Sequence, residues 1–252
     1  MKKLVLIRRL SQIIFLLVFI FPLFGLDIFF KTDPFLLVTA FITNRTILNG
    51  LILSLCLIII TFLIGRFFCG WVCPLGTSVD IIGALGLRKT DLGDRNNARL
   101  RKVKFYFLGA LFLLTLLGKQ LAWIFDPMMI MDRFVLLDFK NIVHGFRVFS
   151  SPGSRSAFVI FAAICGSSLI LQRFWCRGLC PLGAIYAFLA KFSLLRRSTE
   201  ECLKCDKCKS HCRTGAIKDD MGYLQGECIL CMDCVYDCPR HITQFKFKLR
   251  GK

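Results

Sequence analysis

Long apolar stretches alternate with polar, basic segments along most of the chain. Crossing the hydrocarbon core of a membrane takes roughly 20 apolar residues as a helix. Four stretches reach that length, at residues 13–30, 47–68, 103–125 and 155–175. The fourth is the weakest, because Ser167, Ser168 and Gln172 interrupt it, and an interfacial segment is its alternative. The pattern therefore predicts four transmembrane helices.

The apolar stretches belong to two similar halves. Each half runs from an apolar helix through Asp-Pro and a short apolar stretch into a second helix, which ends at Arg-Phe-aromatic-Cys-x-x-x-Cys-Pro-Leu-Gly. Two helices per half return the chain to the same side, so the halves share one orientation about a pseudo-twofold axis along the membrane normal. The matched positions are Asp33, Arg66, Cys69 and Cys73 in the first half and Asp126, Arg173, Cys176 and Cys180 in the second.

The composition changes near residue 199, where the chain becomes polar and rich in cysteine. We therefore expect a four-helix transmembrane domain at residues 1–198, with repeat halves of about 1–88 and 101–195, followed by a small C-terminal domain at residues 199–252. The predicted fold class is membrane α-helical, with two parallel-oriented repeats and a small α+β domain of the bacterial-ferredoxin type.

The net charge of +18 is distributed unevenly along the chain. Basic residues gather before the first apolar stretch, between the second and third, and after Arg173, whereas the loop after the first stretch has only Lys31 and Arg45. This is the positive-inside pattern, which predicts a multi-pass protein of the bacterial inner membrane with both termini in the cytoplasm. The charge then marks topology and contact with anionic lipid, and no nucleic-acid partner is expected.

Eight of the 14 cysteines lie in the C-terminal domain, in two runs of Cys-x-x-Cys-x-x-Cys-x-x-x-Cys. This spacing is typical of two-cluster bacterial ferredoxins, in which three ligands come from one run and the fourth from the other. Structural zinc and disulfides are the less favoured alternatives. Arg213 stands where the ferredoxin pattern has proline. The predicted 4Fe–4S ligands are Cys202, Cys205, Cys208 and Cys238 for one cluster and Cys228, Cys231, Cys234 and Cys212 for the other.

The two Cys-x-x-x-Cys-Pro motifs predict a further site. The pseudo-twofold brings Cys69 and Cys73 opposite Cys176 and Cys180, and four facing thiolates are a ligand set for a third iron–sulfur cluster shared by the halves. Arg66 and Arg173 would offset its negative charge, and Cys56 and Cys165 are interpreted as core thiols. A redox disulfide or thiol pair, and a purely structural role, remain alternatives.

The combination of four helices, two Cys-x-x-x-Cys-Pro motifs and a C-terminal two-cluster ferredoxin resembles the NapH-type membrane ferredoxins, the quinol-dehydrogenase subunits of periplasmic nitrate reductase systems and their relatives. The resemblance implies a membrane subunit that oxidises menaquinol or ubiquinol and passes electrons through iron–sulfur clusters. The implied partners are the quinol pool, membrane lipids and other redox subunits, of ferredoxin or cytochrome type. The alternatives are a maturation factor that reduces copper or thiols and a redox-sensing regulator.

The position of a quinol site is left open between two faces. Arg66, Trp71 and Arg173 lie near the cysteine motifs, whereas Asp126 and His144 lie at the opposite, outer side. Ionisable residues near membrane segments are functional candidates because burying a charge there is costly. The chain has only three histidines, and none forms a helical pair that would hold a haem, so no haem is expected.

Overall fold

The computed structural model describes residues 2–20, 33–44, 51–86, 93–119, 121–135, 152–199, 202, 205–240 and 242–247. His144 lies outside these residues. The helices that precede residue 191 are α1 (Lys2–Ile20), α2 (Pro34–Asn44), α3 (Leu51–Ile64), α4 (Phe67–Trp71), α5 (Pro74–Leu85), α6 (Gly93–Leu116), α7 (Ala122–Phe125), α8 (Pro127–Arg133), α9 (Pro152–Ile170), α10 (Phe174–Gly178) and α11 (Pro181–Ala190).

Proline begins several of these helices, as the sequence pattern favours. It is the first residue of α2, α5, α8, α9 and α11, a position where its missing N–H costs nothing and its fixed φ suits the helix. The residue before the proline caps the helix in four cases, through a carboxylate at Asp33 and Asp126 and through a thiol at Cys73 and Cys180. The repeated motif therefore sets both where these helices start and which side chains lie at their N-termini.

The prediction of four transmembrane helices is wrong. Among the described residues, no helix is both long and apolar enough to cross a membrane. The apolar stretches and the helices do not coincide. Gly65, with φ of 109°, follows α3 after only 14 residues, and Gly118, with φ of 79°, separates α6 from α7. The longest helix, α6, starts in a polar segment ten residues before the predicted stretch.

The two halves pack by exchanging their elements. Helix α5, which follows the first cysteine motif, packs against α9 of the second half, and α11, which follows the second motif, packs against α3 of the first half. The same exchange relates α5 with α8 and α11 with α2. A common core includes the buried Phe35, Phe68, Leu75, Met128 and Tyr186, which come from both halves. The two cysteine motifs therefore lie at the junction between the halves.

The C-terminal segment is held together by a two-stranded antiparallel sheet. Strand β1 (Leu195–Thr199) pairs with β2 (Thr243–Phe247), with Leu195 opposite Phe247 and Thr199 opposite Thr243. Between the strands lie the short helices α12 (Lys207–Ser210) and α13 (Asp233–Tyr236) and a 3₁₀ turn at Gln225–Glu227. The predicted domain boundary at residue 199 falls within β1, and the division of the chain into domains stays a prediction.

Candidate iron–sulfur centre

The two Cys-x-x-x-Cys-Pro motifs adopt the same local structure. Each motif ends a short helix and then caps the next one with its second cysteine. The Cys73 thiol accepts a hydrogen bond from Gly76 N at 3.4 Å, and the Cys180 thiol accepts one from Gly183 N at 3.2 Å. Each sulfur thus receives a backbone N–H, an arrangement that stabilises a thiolate.

The structure brings the four cysteines of the two motifs into one buried group. Cys73 and Cys180 are buried, and Cys69 and Cys176 are half-buried. Cys73 interacts electrostatically with Cys69 and Cys176, while Cys180 interacts with the other three. Burial raises the pKa of the thiols of Cys73, Cys176 and Cys180, so these thiols ionise only when positive charge or a bound metal compensates them.

Two buried arginines supply that positive charge. Arg173 donates hydrogen bonds to the Cys69 and Gly76 carbonyl oxygens at 2.8 and 3.4 Å. Arg66 acts electrostatically on Cys69, Cys176 and Cys180. Each arginine is 1% exposed. Arg173 of the second half therefore contacts the first cysteine motif, and Arg66 of the first half acts on the cysteines of the second motif.

The side chains around this group fit an anionic cluster. Arg66 keeps two buried N–H groups, at Nε and Nη2, without a hydrogen-bond acceptor among the described residues. A buried donor without an acceptor is costly, particularly on a charged group, and a negatively charged thiolate–iron centre beside it would offset that cost. Four thiols are also the donor set of a 4Fe–4S cluster. Within the described part of the chain, no three His, Cys, Asp or Glu side chains are grouped to hold a single metal ion.

Each of the two arginines pairs with a buried carboxylate. Asp80 on α5 pairs with Arg173 at 2.7 Å, and Glu227 in the C-terminal segment pairs with Arg66 at 3.1 Å. Glu227 also accepts from Lys104 at 2.6 Å. Burial lowers the pKa of Lys104 to about 8, with a further contribution from Arg66. The positions of both cationic side chains beside the cysteines thus depend on buried acids.

A second group of cysteines lies in the C-terminal segment. Cys212, Cys228, Cys231 and Cys234, which are the predicted ligands of one cluster, line one small cavity. Burial raises the pKa of Cys228 to about 11. Arg197 from β1 also lines the cavity and lowers the pKa of Cys234 against the effect of burial. A cation therefore accompanies this cysteine group too.

The other predicted ligand set is only partly brought together. Cys208 interacts electrostatically with Cys238, and both are buried. Cys205 is exposed and Cys202 is half-buried. The assignment of all twelve cysteines to three clusters stays a prediction.

The loop at residues 228–231, which bears two cysteines of the second group, contacts the first cysteine motif. The Trp71 indole N–H donates to the Leu230 carbonyl at 3.0 Å, and Arg8 Nη1 donates to the Cys231 carbonyl at 3.1 Å. Gly70 lies so close to Ile229 that an added Cβ would clash with the Ile229 carbonyl oxygen. Glycine is thus required within the first motif by the close approach of the second group.

Sequence reasoning missed the residues that join the two parts. Asp80 pairs with Arg8 at 2.8 Å and with Arg213 at 3.2 Å, and Asp233 pairs with the same two arginines at 3.3 and 2.5 Å. Arg213, noted in the sequence only as a replacement for proline, therefore anchors the C-terminal segment to α5. The only sequence signal was that departure from the ferredoxin pattern, because partners this far apart in the chain leave no local spacing.

The predicted quinol residues have protein partners. Arg66, Trp71 and Arg173 take part in the contacts just described, and Asp126 forms a buried pair with Asp33. His144 lies outside the described residues. Quinol binding by any of these residues stays a prediction.

Comparison with known proteins connects these features to a family. A family model for a 4Fe-4S binding domain matches residues 46–93 and 156–199, so each match contains one Cys-x-x-x-Cys motif. The ferredoxin-type protein NapH of Haemophilus influenzae is 28% identical over 273 residues, covering 96% of this chain and 88% of that protein. The methylamine utilization ferredoxin-type protein MauN of Methylorubrum extorquens is 29% identical, covering 98% and 89%.

Two further relatives are longer than the matched region. The putative electron transport protein YccM of Escherichia coli is 31% identical over 75% of this chain, and the match spans 53% of YccM. Protein NirI of Paracoccus denitrificans is 32% identical over 66% of this chain, and the match spans 24% of NirI. No solved structure gives a significant match. The predicted resemblance is confirmed, and the chain belongs to the NapH-type family of ferredoxin-type proteins.

Proposed function

We propose that the chain is an electron-transfer protein that oxidises quinol and passes the electrons through iron–sulfur clusters to a partner redox protein. Its family and the two matches to a 4Fe-4S binding domain support the iron–sulfur chemistry. The description of YccM as a putative electron transport protein supports electron transfer as the function. Quinol as the donor rests on the resemblance to NapH-type proteins.

The observation that carries the proposal is the contact between the loops that bear the two cysteine groups. Trp71 and Gly70, which lie between Cys69 and Cys73, touch the loop that bears Cys228 and Cys231. Electron transfer slows steeply with distance, so contacting loops favour passage from one centre to the next. The buried pairs of Arg8 and Arg66 with acids of the C-terminal segment hold this contact in place.

The chain's own groups would tune such a centre. A bound iron–sulfur cluster supplies one-electron chemistry, at a potential that depends on charge, hydrogen bonds to sulfur and solvent exposure. Here the Gly76 and Gly183 N–H groups donate to cysteine sulfurs. Arg173 acts electrostatically on Cys73 and Arg66 on Cys180, and this positive charge favours accepting an electron. Burial of Cys73 and Cys180 keeps water from their sulfurs.

Reduction by quinol in the purified, iron-loaded full chain tests the proposal. We expect a short-chain menaquinol or ubiquinol analogue, added without oxygen, to bleach the cluster absorbance and produce the paramagnetic signal of a reduced cluster. Cys73→Ser and Cys180→Ser should each lose about four irons, the content of one cubane, and the double variant should lose no more. Cys56→Ser on α3 is the matched control and should lose none, since Cys56 is exposed and its interpretation as a core thiol was wrong.

The outcomes separate the two parts of the proposal. A full iron content without reduction by either quinol would make quinol the wrong donor while leaving the iron–sulfur chemistry intact. Iron losses that add up in the double variant would show two separate sites. Iron content unchanged in both single variants would show that these cysteines hold no cluster.

A further inference from the structure

The two Asp-Pro motifs place a pair of carboxyl groups inside the junction between the halves. Each carboxyl caps its own helix with one oxygen. Asp33 Oδ1 accepts from Phe35 N at 2.9 Å and from Leu36 N at 3.4 Å. Asp126 Oδ2 accepts from Met128 N at 3.1 Å and from Met129 N at 3.2 Å. Capping therefore explains one oxygen of each aspartate and leaves the other to be explained.

The other oxygen of each carboxyl group is buried. Asp33 is 2% exposed and Asp126 is 0% exposed. Asp33 Oδ2 and Asp126 Oδ1 have no hydrogen-bond donor among the described residues, and the two side chains are within hydrogen-bonding contact of each other. Two ionised carboxylates in contact, away from water, would repel strongly. A single proton between them removes one charge and turns the repulsion into a hydrogen bond, as in other buried carboxyl pairs.

We propose that Asp33 and Asp126 form a proton-binding site at the junction of the two halves, in which two carboxyl groups share one proton at neutral pH. Its ligand is a single proton, bound or released by the pair as a unit. The site follows from burial and contact alone, so it does not depend on the electron-transfer function proposed above.

Tyr186 on α11 adds a third buried titratable group to this part of the core. Its side chain is 0% exposed and its hydroxyl has no hydrogen-bond partner among the described residues. It interacts electrostatically with both carboxyls and also with Cys69 and Cys73. Tyr186 thus lies within reach of both the carboxyl pair and the first cysteine motif. Added negative charge at the cysteines would strengthen proton binding by the pair, because both act on the same region of low dielectric.

The groups around Asp33 and Asp126 favour a proton bound to the pair. Burial, and then the charge of Asp33, raise the pKa of Asp126 well above its ordinary value, and burial raises the pKa of Asp33. Besides Tyr186, the neighbouring titratable groups on α8 are Asp132 and Arg133, which interact with each other. For carboxyls with raised pKa, the stability that they contribute is present below about pH 4 and is lost as the pH rises through the raised folded values.

Infrared spectroscopy of the full chain, with aspartate isotope-labelled at the side-chain carboxyl carbon, tests the site. We expect a protonated-carboxyl C=O band at neutral pH that shifts with the label. Asp33→Asn and Asp126→Asn should each abolish it, because the amide keeps the helix cap and donates to the remaining carboxylate. Asp219→Asn, which changes a carboxylate whose side chain is 57% exposed, is the matched control and should retain it.

Two results would overturn the proposal. One is a labelled wild-type protein without a protonated-carboxyl band at neutral pH, and the other is a band that persists in both asparagine variants. Should an asparagine variant fail to fold, Asp33→Ser and Asp126→Ser replace it, since serine also caps helices, and loss of the band is again the expected result. None of these readings requires iron or quinol, so failure of the electron-transfer proposal would leave the result intact.

Discussion

Replacing Asp80 by asparagine removes one negative charge from the centre of a buried network while keeping the size of the side chain. Asp80 pairs with Arg8 at 2.8 Å, with Arg173 at 2.7 Å and with Arg213 at 3.2 Å, and its side chain is 7% exposed. These arginines come from α1, from the second cysteine motif and from the C-terminal segment. The substitution therefore tests whether one carboxylate joins three parts of the chain.

The loss of stability depends on which acceptors remain for each arginine after the substitution. Arg8 and Arg213 retain Asp233, at 3.3 and 2.5 Å. Arg173 retains carbonyl oxygens, with no second carboxylate among the described residues, so its buried charge loses its compensation. Removing one partner of a buried pair costs roughly 3–5 kcal/mol. At about 2–4 °C per kcal/mol for a chain of this size, Tm should fall by about 6–20 °C.

Thermal unfolding of the purified full chain at neutral pH, followed by circular dichroism, measures this change. Asp219→Asn is the matched control, because the same substitution there removes an exposed pair with Lys209, and exposed pairs contribute about 0–1 kcal/mol. Equal melting temperatures for the two variants would refute the reasoning, since burial and convergence on three arginines are what distinguish Asp80 from Asp219.

Three further measurements follow from the same contacts. Burial alone would raise the pKa of Asp80, but the neighbouring arginines lower it below its ordinary value. The stability that the ionised Asp80 contributes is therefore present above about pH 4 and is lost as the pH falls through the lowered folded pKa. Asp80→Asn should lose less stability than the wild type on acidification. Gly70→Ala should lower the free energy of unfolding in urea by about 1–3 kcal/mol, because the added methyl group clashes with Ile229. Equal destabilisation by Gly109→Ala, where the methyl group meets open space, would contradict this prediction. Trp71→Phe keeps an aromatic side chain but removes the indole N–H that donates to the Leu230 carbonyl, and should cost at least about 1 kcal/mol in the same assay. Unchanged stability would show that this hydrogen bond does not stabilise the fold.

Local patterns in the sequence predicted part of this structure. The spacing of the cysteines indicated the family. The structure adds that Pro74 and Pro181 begin helices, at a position where proline suits the first turn. The repeat of Asp-Pro likewise pointed to Asp33 and Asp126 as equivalent positions, although not to their contact.

Helix length and long-range pairing were not predictable in the same way. Apolar composition suggested long spans, but single glycines such as Gly65 end or divide the helices, and hydropathy averaged over a window does not detect them. The pairing of Arg8 with Asp233 joins residues separated by 225 positions. Such a contact depends on the packed structure as a whole, so the acids that hold the cysteine motifs together appeared only in three dimensions.

The exchange of elements between the halves bears on how such a chain could arise and assemble. Helix α5 packs against α9 as well as against α1 of its own half, and α11 packs against α3 as well as against α6 of its own half. Each tail helix therefore contacts both halves, as an exchanged element does in a domain-swapped dimer. A homodimer of a single ancestral half would satisfy the same contacts, with two identical cysteine pairs meeting on its twofold axis. Gene duplication and fusion would then have freed the copies to diverge, so that Arg173 is held by Asp80 of α5 and Arg66 by Glu227 of the C-terminal segment.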